Sequence, residues 1–416
     1  MNDRVRSIAL ATFAAQVLVL FHSSHGASCR AQEAAAPESP PDDFDQPVAR
    51  EDLRFGGRGF REWRREFLTE LDPEVRLRAL PALLKFGRHG YAAEAARTIA
   101  AALRDDDAKL VAAAAEALAK LGPAARACAG ELLAVAIEIA QTAANDNALP
   151  DARAPAGDAV LDALVAIGAA AVPFLGEALG SNDEIARLVT AAVLAKLGPR
   201  AAAALPLLSR AVERDTVKVR QKAIEALAAI GGEAKPAIGV VLEALRDDET
   251  EIRAAAAAAL WDIAPDNEEV IAALREAVRR DAEVVWGRLF AQLAQVAPGQ
   301  TRWLQSEHGS VGYHRLHTEP YETVRRNPGH ALALLMEAVQ VLTDECERCL
   351  AIDLLGELGR AAEPAVGLLK QIASTERDNA PGDSDQRPVY DVRNYAVEAL
   401  QKIEASVNAG HGRASR

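Results

Sequence analysis

The residues able to do chemistry gather in one short segment. Trp303, His308, Tyr313, His314, His317, Tyr321 and His330 all lie within residues 299–330, which hold half of the chain's eight histidines. His308, His314 and His317, with Glu319 or Glu322 as an oxygen ligand, are the residues that could converge on one cation. Imidazole suits zinc, copper or nickel. HxxH is a weak metal spacing, however, and no cysteine lies nearby. Trp303, Tyr313, His314, His317 and Tyr321 serve equally as a packed loop that contacts a partner or ligand, and that is the preferred reading.

Cys346-x-x-Cys349 is the second candidate. A redox pair of this spacing sits beside a βαβ pattern, which is missing here, and covalent haem would need His where Leu350 stands. The two cysteines fall one helical turn apart, with Cys349 toward the core, and read as ordinary small residues. Cys128 reads as a small buried hydrophobe. With three cysteines beyond residue 31, the chain is no disulfide scaffold. It holds no glycine-rich phosphate loop after a strand, no GxSxG and no HExxH. We therefore assign no catalytic residue and no cofactor, and expect no enzyme.

The elements that must position these residues are set by a repeat. Val219-Arg220-x-x-Ala223-x-x-Ala226-Leu227-x-x-Ile230-Gly231 returns as Val75-Arg76…Gly87, Ile252-Arg253…Ile263 and Val392-Arg393…Ile403. Weaker copies close at Gly122, Gly168, Gly198, Ala297 and Gly359. Closing positions 198, 231, 264 and 297 are 33 residues apart, and a fixed period of this size means stacked repeats. Each unit reads as two helices. Asp72, Asp107, Asp183, Asp215, Asp248 or Asp281 opens the first, where a carboxylate accepts orphan N–H groups. Glycine closes it. Pro123, Pro199 and Pro265 follow. The second helix carries its own apolar stripe, such as Ile238, Val241, Leu242 and Leu245.

This order resembles the HEAT-repeat superfamily, in its short bilin-lyase-type form, over roughly residues 71–405. The resemblance implies an all-α fold: an α-solenoid of about nine stacked helix pairs. It also implies a polar ladder between the opening Asp and the first-helix Arg. That pairs Asp215 with Arg220 and puts Arg76, Arg187, Arg253, Arg348 and Arg393 in equivalent places. The pattern breaks at Val111, Gly157 and Trp286. In the family, second helices line the inner, partner-binding side, which would include Glu233, Lys235, Glu243 and Arg246.

Phe60, Trp63, Phe67 and Leu71 recur at helical spacing and read as an N-terminal cap over the first repeat. Ahead of it, Arg4 and Arg6 precede an apolar run from Ile8 to Phe21, followed by Ala31. This has the form of a bacterial-type secretory signal cleaved near Ala31. The run is short for the ~20 residues that span a bilayer, so no transmembrane span is expected in the mature chain. Gly26-Ala27-Ser28-Cys29 only loosely fits a lipid-attachment site, and a lipid anchor is the lesser alternative.

The expected layout is a signal at 1–31, a disordered linker at 32–54, a cap at 55–71 and repeats at 72–298. An inserted loop at 299–330, repeats at 331–405 and a disordered tail at 406–416 complete it. Segments 141–157 and 374–390 also interrupt the rhythm. Net charge is −13, with no basic stripe of the kind that neutralises phosphates, so no nucleic-acid partner is expected. The expected function is an exported, periplasmic or secreted, scaffold for unidentified protein partners; a metal- or small-ligand-binding protein with its site at 299–330 is the alternative.

Overall fold

The structure is a computed structural model that describes residues 49–144, 156–293, 327–375 and 392–414. Among them there is no strand, only an isolated bridge between Phe55 and Arg58. The fold class is the expected one, an all-α solenoid of stacked helix pairs. It divides into two compact units, residues 1–207 and 208–416.

In the first unit, α1 (Phe60–Thr69) is the cap. Four first helices follow: α2 (Pro73–Phe86), α4 (Ala108–Leu121), α6 (Gly157–Ile167) and α8 (Glu184–Leu197). The second helices are α3 (Ala92–Ala100), α5 (Ala129–Ala144) and α7 (Val172–Leu179). The division between units runs through α9 (Leu205–Arg214). The second unit holds the pairs α10 (Val217–Ile230) with α11 (Ile238–Ala244) and α12 (Thr250–Ile263) with α13 (Glu268–Arg280). The pairs α14 (Ala282–Leu293) with α15 (Pro328–Val341) and α16 (Glu345–Glu357) with α17 (Val366–Thr375) come next. A single long helix, α18 (Val392–Ala414), closes the described chain.

Within each unit first helices pack on first helices: α2 on α4 on α6, α10 on α12 on α14, α16 on α18. Alanine makes this approach close while favouring helix. In α12 all six residues from Ala254 to Ala259 are buried, on every side of the helix. Leucine, isoleucine and valine fill the remaining interior.

Capping follows the sequence with one refinement. Asp72, Asp107, Asp183 and Asp344 each accept a backbone N–H at a first-helix start. In the fifth and sixth repeats the cap shifts by one residue, to Thr216 and Glu249, and the carboxylates of Asp215 and Asp247 accept the N–H groups of those residues. Each closing glycine at 122, 168, 198, 231 and 359 has φ between +56° and +75°. With ψ near −135° at Gly122, Gly198 and Gly231, this lies away from the left-handed helical region usual for a closing glycine, in a quadrant closed to residues with a β-carbon.

Four expected boundaries change. Residues 49–54 are ordered: a short 3-10 turn runs from Arg50 to Asp52, and Leu53 is buried. Arg50 donates to the Gly90 carbonyl at 2.8 Å and to Glu94 at 2.6 Å, over the Tyr91 ring. The cap helix ends at Thr69, leaving Leu71 outside it and 94% exposed. The C-terminal stretch is helical through Ala414, and Ser406 accepts a hydrogen bond from the Arg360 amide. Finally, α15 packs on α13 as one second helix on another, so residues 294–326 interrupt one repeat between its two helices. Residues 328–330 of the expected insertion are the first turn of α15. The described residues thus hold eight helix pairs and a closing helix, where about nine pairs were expected.

By length and composition alone, Ala108–Ala144, Gly157–Leu179 and Glu184–Arg214 are apolar enough to cross a membrane. Each is bent at a positive-φ glycine, Gly122, Gly168 or Gly198, into the two helices of a repeat.

Candidate binding surface

The ladder arginines tie successive repeats together. Arg220 donates to the Val212 carbonyl at 2.8 Å and pairs with Asp247, at the start of the following repeat. Arg253 reaches Asp281 at 2.7 Å and the carbonyls of Asp247 and Asp248. Arg76 pairs with Asp105 and donates to the Phe67 carbonyl. Sequence reasoning put Asp215 with Arg220; the structure brings Asp247, 27 residues on, to that guanidinium. The reason is geometric: the guanidinium leans along the stack, so the carboxylate that meets it belongs to the turn that opens the following repeat. Arg187 and Arg348 hold the carbonyls of Ser181 and Val339. Where arginine is missing, Val111 and Trp286 fill the site as buried apolar groups.

Burial would push the Asp247 carboxyl up, but the Arg220 hydrogen bond, the Glu249 amide and the charges of Arg220 and Arg253 hold it below the ordinary value. The same logic holds Glu337 on α15 down: hydrogen bonds from Arg279 and Arg275 outweigh its burial. These arginines lie on α13, so the triad clamps neighbouring second helices. Asp262 has no such partner, and burial raises it to about 7. Trp261 beside it has a buried indole N–H without an acceptor.

The candidate residues Trp303, His308, Tyr313, His314, His317 and Tyr321 lie outside the described residues. His330 is described. Its Nδ1 lies 2.9 Å from the Pro265 carbonyl, fastening the start of α15 to the turn after α12. Among the described residues no three His, Cys, Asp or Glu side chains form a group that could hold a metal ion. Cys349 and Cys128 are buried, and burial first, then the charge of Glu131, pushes the Cys128 thiol to about 11.

The described surface does offer a binding feature that sequence reasoning missed. Phe174 on α7 and Leu207 on α9 are 37% and 39% exposed, both in the first unit. Each lies across a glycine of the preceding second helix. A β-carbon on Gly130 would come 3.5 Å from Phe174 Cδ1, and one on Gly176 would come 3.0 Å from Leu207 Cδ1. A β-carbon would crowd Leu207 at Gly176 but would make ordinary van der Waals contact with Phe174 at Gly130. Glu131 and Glu177 directly follow those glycines in the chain, on α5 and α7. The signal in the sequence was the equivalent position of Phe174 and Leu207. It is obscured because the turn Gly168–Ala171 is shorter than Gly198–Ala204. In the second unit Glu233, Lys235, Glu243 and Arg246 are exposed, as expected.

The HEAT-repeat family model matches residues 172–261 and 206–289. No curated protein matches the sequence. Among solved structures, a Kap121p mutant is similar at 13% identity, covering 83% of this chain and 37% of that one, with a TM-score of 0.49. Yeast importin-beta (Kap95p) has 16% identity, 83% and 45% coverage, and a TM-score of 0.39. An engineered protein has 18% identity, 82% and 98% coverage, and a TM-score of 0.33. This chain therefore spans less than half the length of the Kap121p and importin-beta chains it resembles.

Proposed function

We propose that this chain, a HEAT-repeat protein, is an exported, non-catalytic scaffold that binds protein partners on its second helices. The observation that carries this reading is the exposed pair Phe174 and Leu207. Large apolar side chains lying over glycines, with carboxylates next in the chain, have the composition of an interface core with a polar rim. The ladder arginines are committed to contacts along the stack and the capping carboxylates to their own helix starts, so recognition rests on what the helices leave exposed. The carboxylates that follow the two glycines, Glu131 and Glu177, favour a partner with a basic edge around an apolar centre.

The test is affinity capture from the native cell envelope with three baits: the full chain, the variant F174S/L207S, and a variant with 306–328 replaced by a Gly/Ser linker. A partner held by the full chain and the linker variant, and lost by F174S/L207S, supports recognition on the second helices. A partner lost only by the linker variant moves recognition to the inserted segment. Capture of nothing by any bait counts against a scaffold.

A further inference from the structure

The cap helix carries a second surface, distinct from the second-helix face. Phe60 and Phe67 of α1 are buried against the first repeat, with Phe60 stacked on Tyr91 at 4.4 Å and edge-on to Phe86. Flanking the buried phenylalanines on one side, Arg61, Arg64, Arg65 and Leu68 follow the i, i+3, i+4, i+7 spacing of one helical stripe. All four are exposed, and none of the three guanidiniums forms an ion pair with a described residue. Leu68 is 45% exposed and Leu71, just past the helix end, is 94% exposed. These are the two most exposed large apolar side chains among the described residues.

The stripe is costly for the helix that bears it. Like charges three and four residues apart repel, and cations in the first half of a helix oppose its dipole. The nearby carboxylates make their hydrogen bonds and ion pairs elsewhere. Glu62 accepts the Gly59 amide, Glu66 holds Arg58, and Asp72 caps Glu74. Glu70 is the remaining neighbour, on the chain between the two leucines. A chain of net charge −13 thus places three cations without an ion pair among the described residues on one face of its first described α-helix.

We infer that this face docks on an anionic lipid surface, with Leu68 and Leu71 entering the interface and the three arginines meeting the headgroups. Two features favour lipid over an acidic peptide. The leucines protrude singly, whereas a peptide partner needs a matching groove or a strand edge, and α1 provides neither. A bilayer interface accepts protruding apolar side chains without shape complementarity, and basic residues beside them add electrostatic attraction.

Vesicle co-sedimentation of the full chain tests this, comparing phosphatidylcholine vesicles with vesicles containing 30% phosphatidylglycerol. Because the Ile8–Phe21 run can itself partition into lipid, the readout is the difference between the two vesicle types. We expect stronger binding to the anionic vesicles at low salt, weakening as salt shortens the reach of charge. R61Q/R64Q/R65Q should lower the anionic partition coefficient by about a hundredfold, with an unchanged melting profile. L68S/L71S should weaken binding to anionic vesicles while keeping its salt dependence. Equal binding to both vesicle types, or an arginine variant that binds as well as the parent, overturns the inference. In that case an acidic peptide becomes the ligand to try on this face.

Discussion

At the scale of single residues, Gly231 and its neighbour Gly232 make a controlled pair. A β-carbon would meet nothing within 4 Å at either, so packing does not separate them. Only Gly231 has positive φ, +67°. Gly231→Ala should therefore destabilise by roughly 1–3 kcal/mol through backbone strain alone. Gly232→Ala should stay within about 1 kcal/mol of the parent. Equal urea midpoints for the two variants would contradict this. The turn glycines were legible because the period marks them. The backbone quadrant they occupy was not, since periodicity carries no information about ψ.

Titrating carboxyls give a second residue-scale prediction with opposing signs. Asp247 and Glu337 are held below their ordinary values. Their stabilisation is present at neutral pH and is lost as pH falls through the lowered values. Asp262 is raised to about 7 by burial, and Glu347 to about 7 by burial and the charges of Asp344 and Glu283. In the unfolded chain both ionise near 4, so each costs stability as pH rises from there to about 7. From these four groups the melting temperature should accordingly peak near pH ~4 and decline toward pH ~7. Asp262→Asn should raise it at pH 8 and leave it nearly unchanged at pH 4; an unchanged slope between pH 5 and 8 would count against Asp262 as a source.

At the scale of elements, the ladder decides how strongly one repeat holds the next. Arg253 spans two carbonyls and Asp281, and its side chain is mostly buried. Arg253→Ala strands those acceptors and should cost about 2–3 kcal/mol, whereas Asp281→Ala should cost less. A double-mutant cycle should return a coupling of about 1 kcal/mol. Zero coupling would make the carbonyls, not Asp281, the partners that matter. The arginines of this ladder were legible from the repeat, but their register was not. The motif shows that Asp and Arg recur, and only the lean of the guanidinium along the stack selects the carboxylate 27 to 29 residues on. The same limit hid Phe174 and Leu207. They face glycines in a different helix, Gly130 and Gly176, and no pattern within one helix records that contact. In the cap, Phe60 and Phe67 were legible from helical spacing. Leu71 fitted the same spacing but falls beyond the last turn, because periodicity continues past the residue where hydrogen bonding stops.

At the scale of the whole molecule, stability in a repeat array is a sum over units and their interfaces. That sum separates two deletions of different size. Excising 215–247 removes one period, and the ladder pair Arg220–Asp247 leaves as a unit; the partners lost by retained charges include Glu225, paired with Arg288, and the Leu245 carbonyl held by Arg280. Asp248 then stands where Asp215 stood. Removing 60–69 takes away fewer residues. It strips the cover from Phe86 and Tyr91, and frees Arg76 from the Phe67 carbonyl. An interior unit can be lost with one interface re-formed from equivalent residues, but a cap has no equivalent to replace it. In urea, the repeat deletion should lower the m-value, since less surface is exposed on unfolding, with a modest change in midpoint. The cap deletion should leave m nearly unchanged and lower the midpoint, with the first repeat losing amide protection before the rest. A cap deletion with the parent's midpoint would mean that α1 covers nothing the first repeat needs. The aromatic contacts of Phe60 would then contribute little, leaving the exposed arginine stripe as the main reason for the helix.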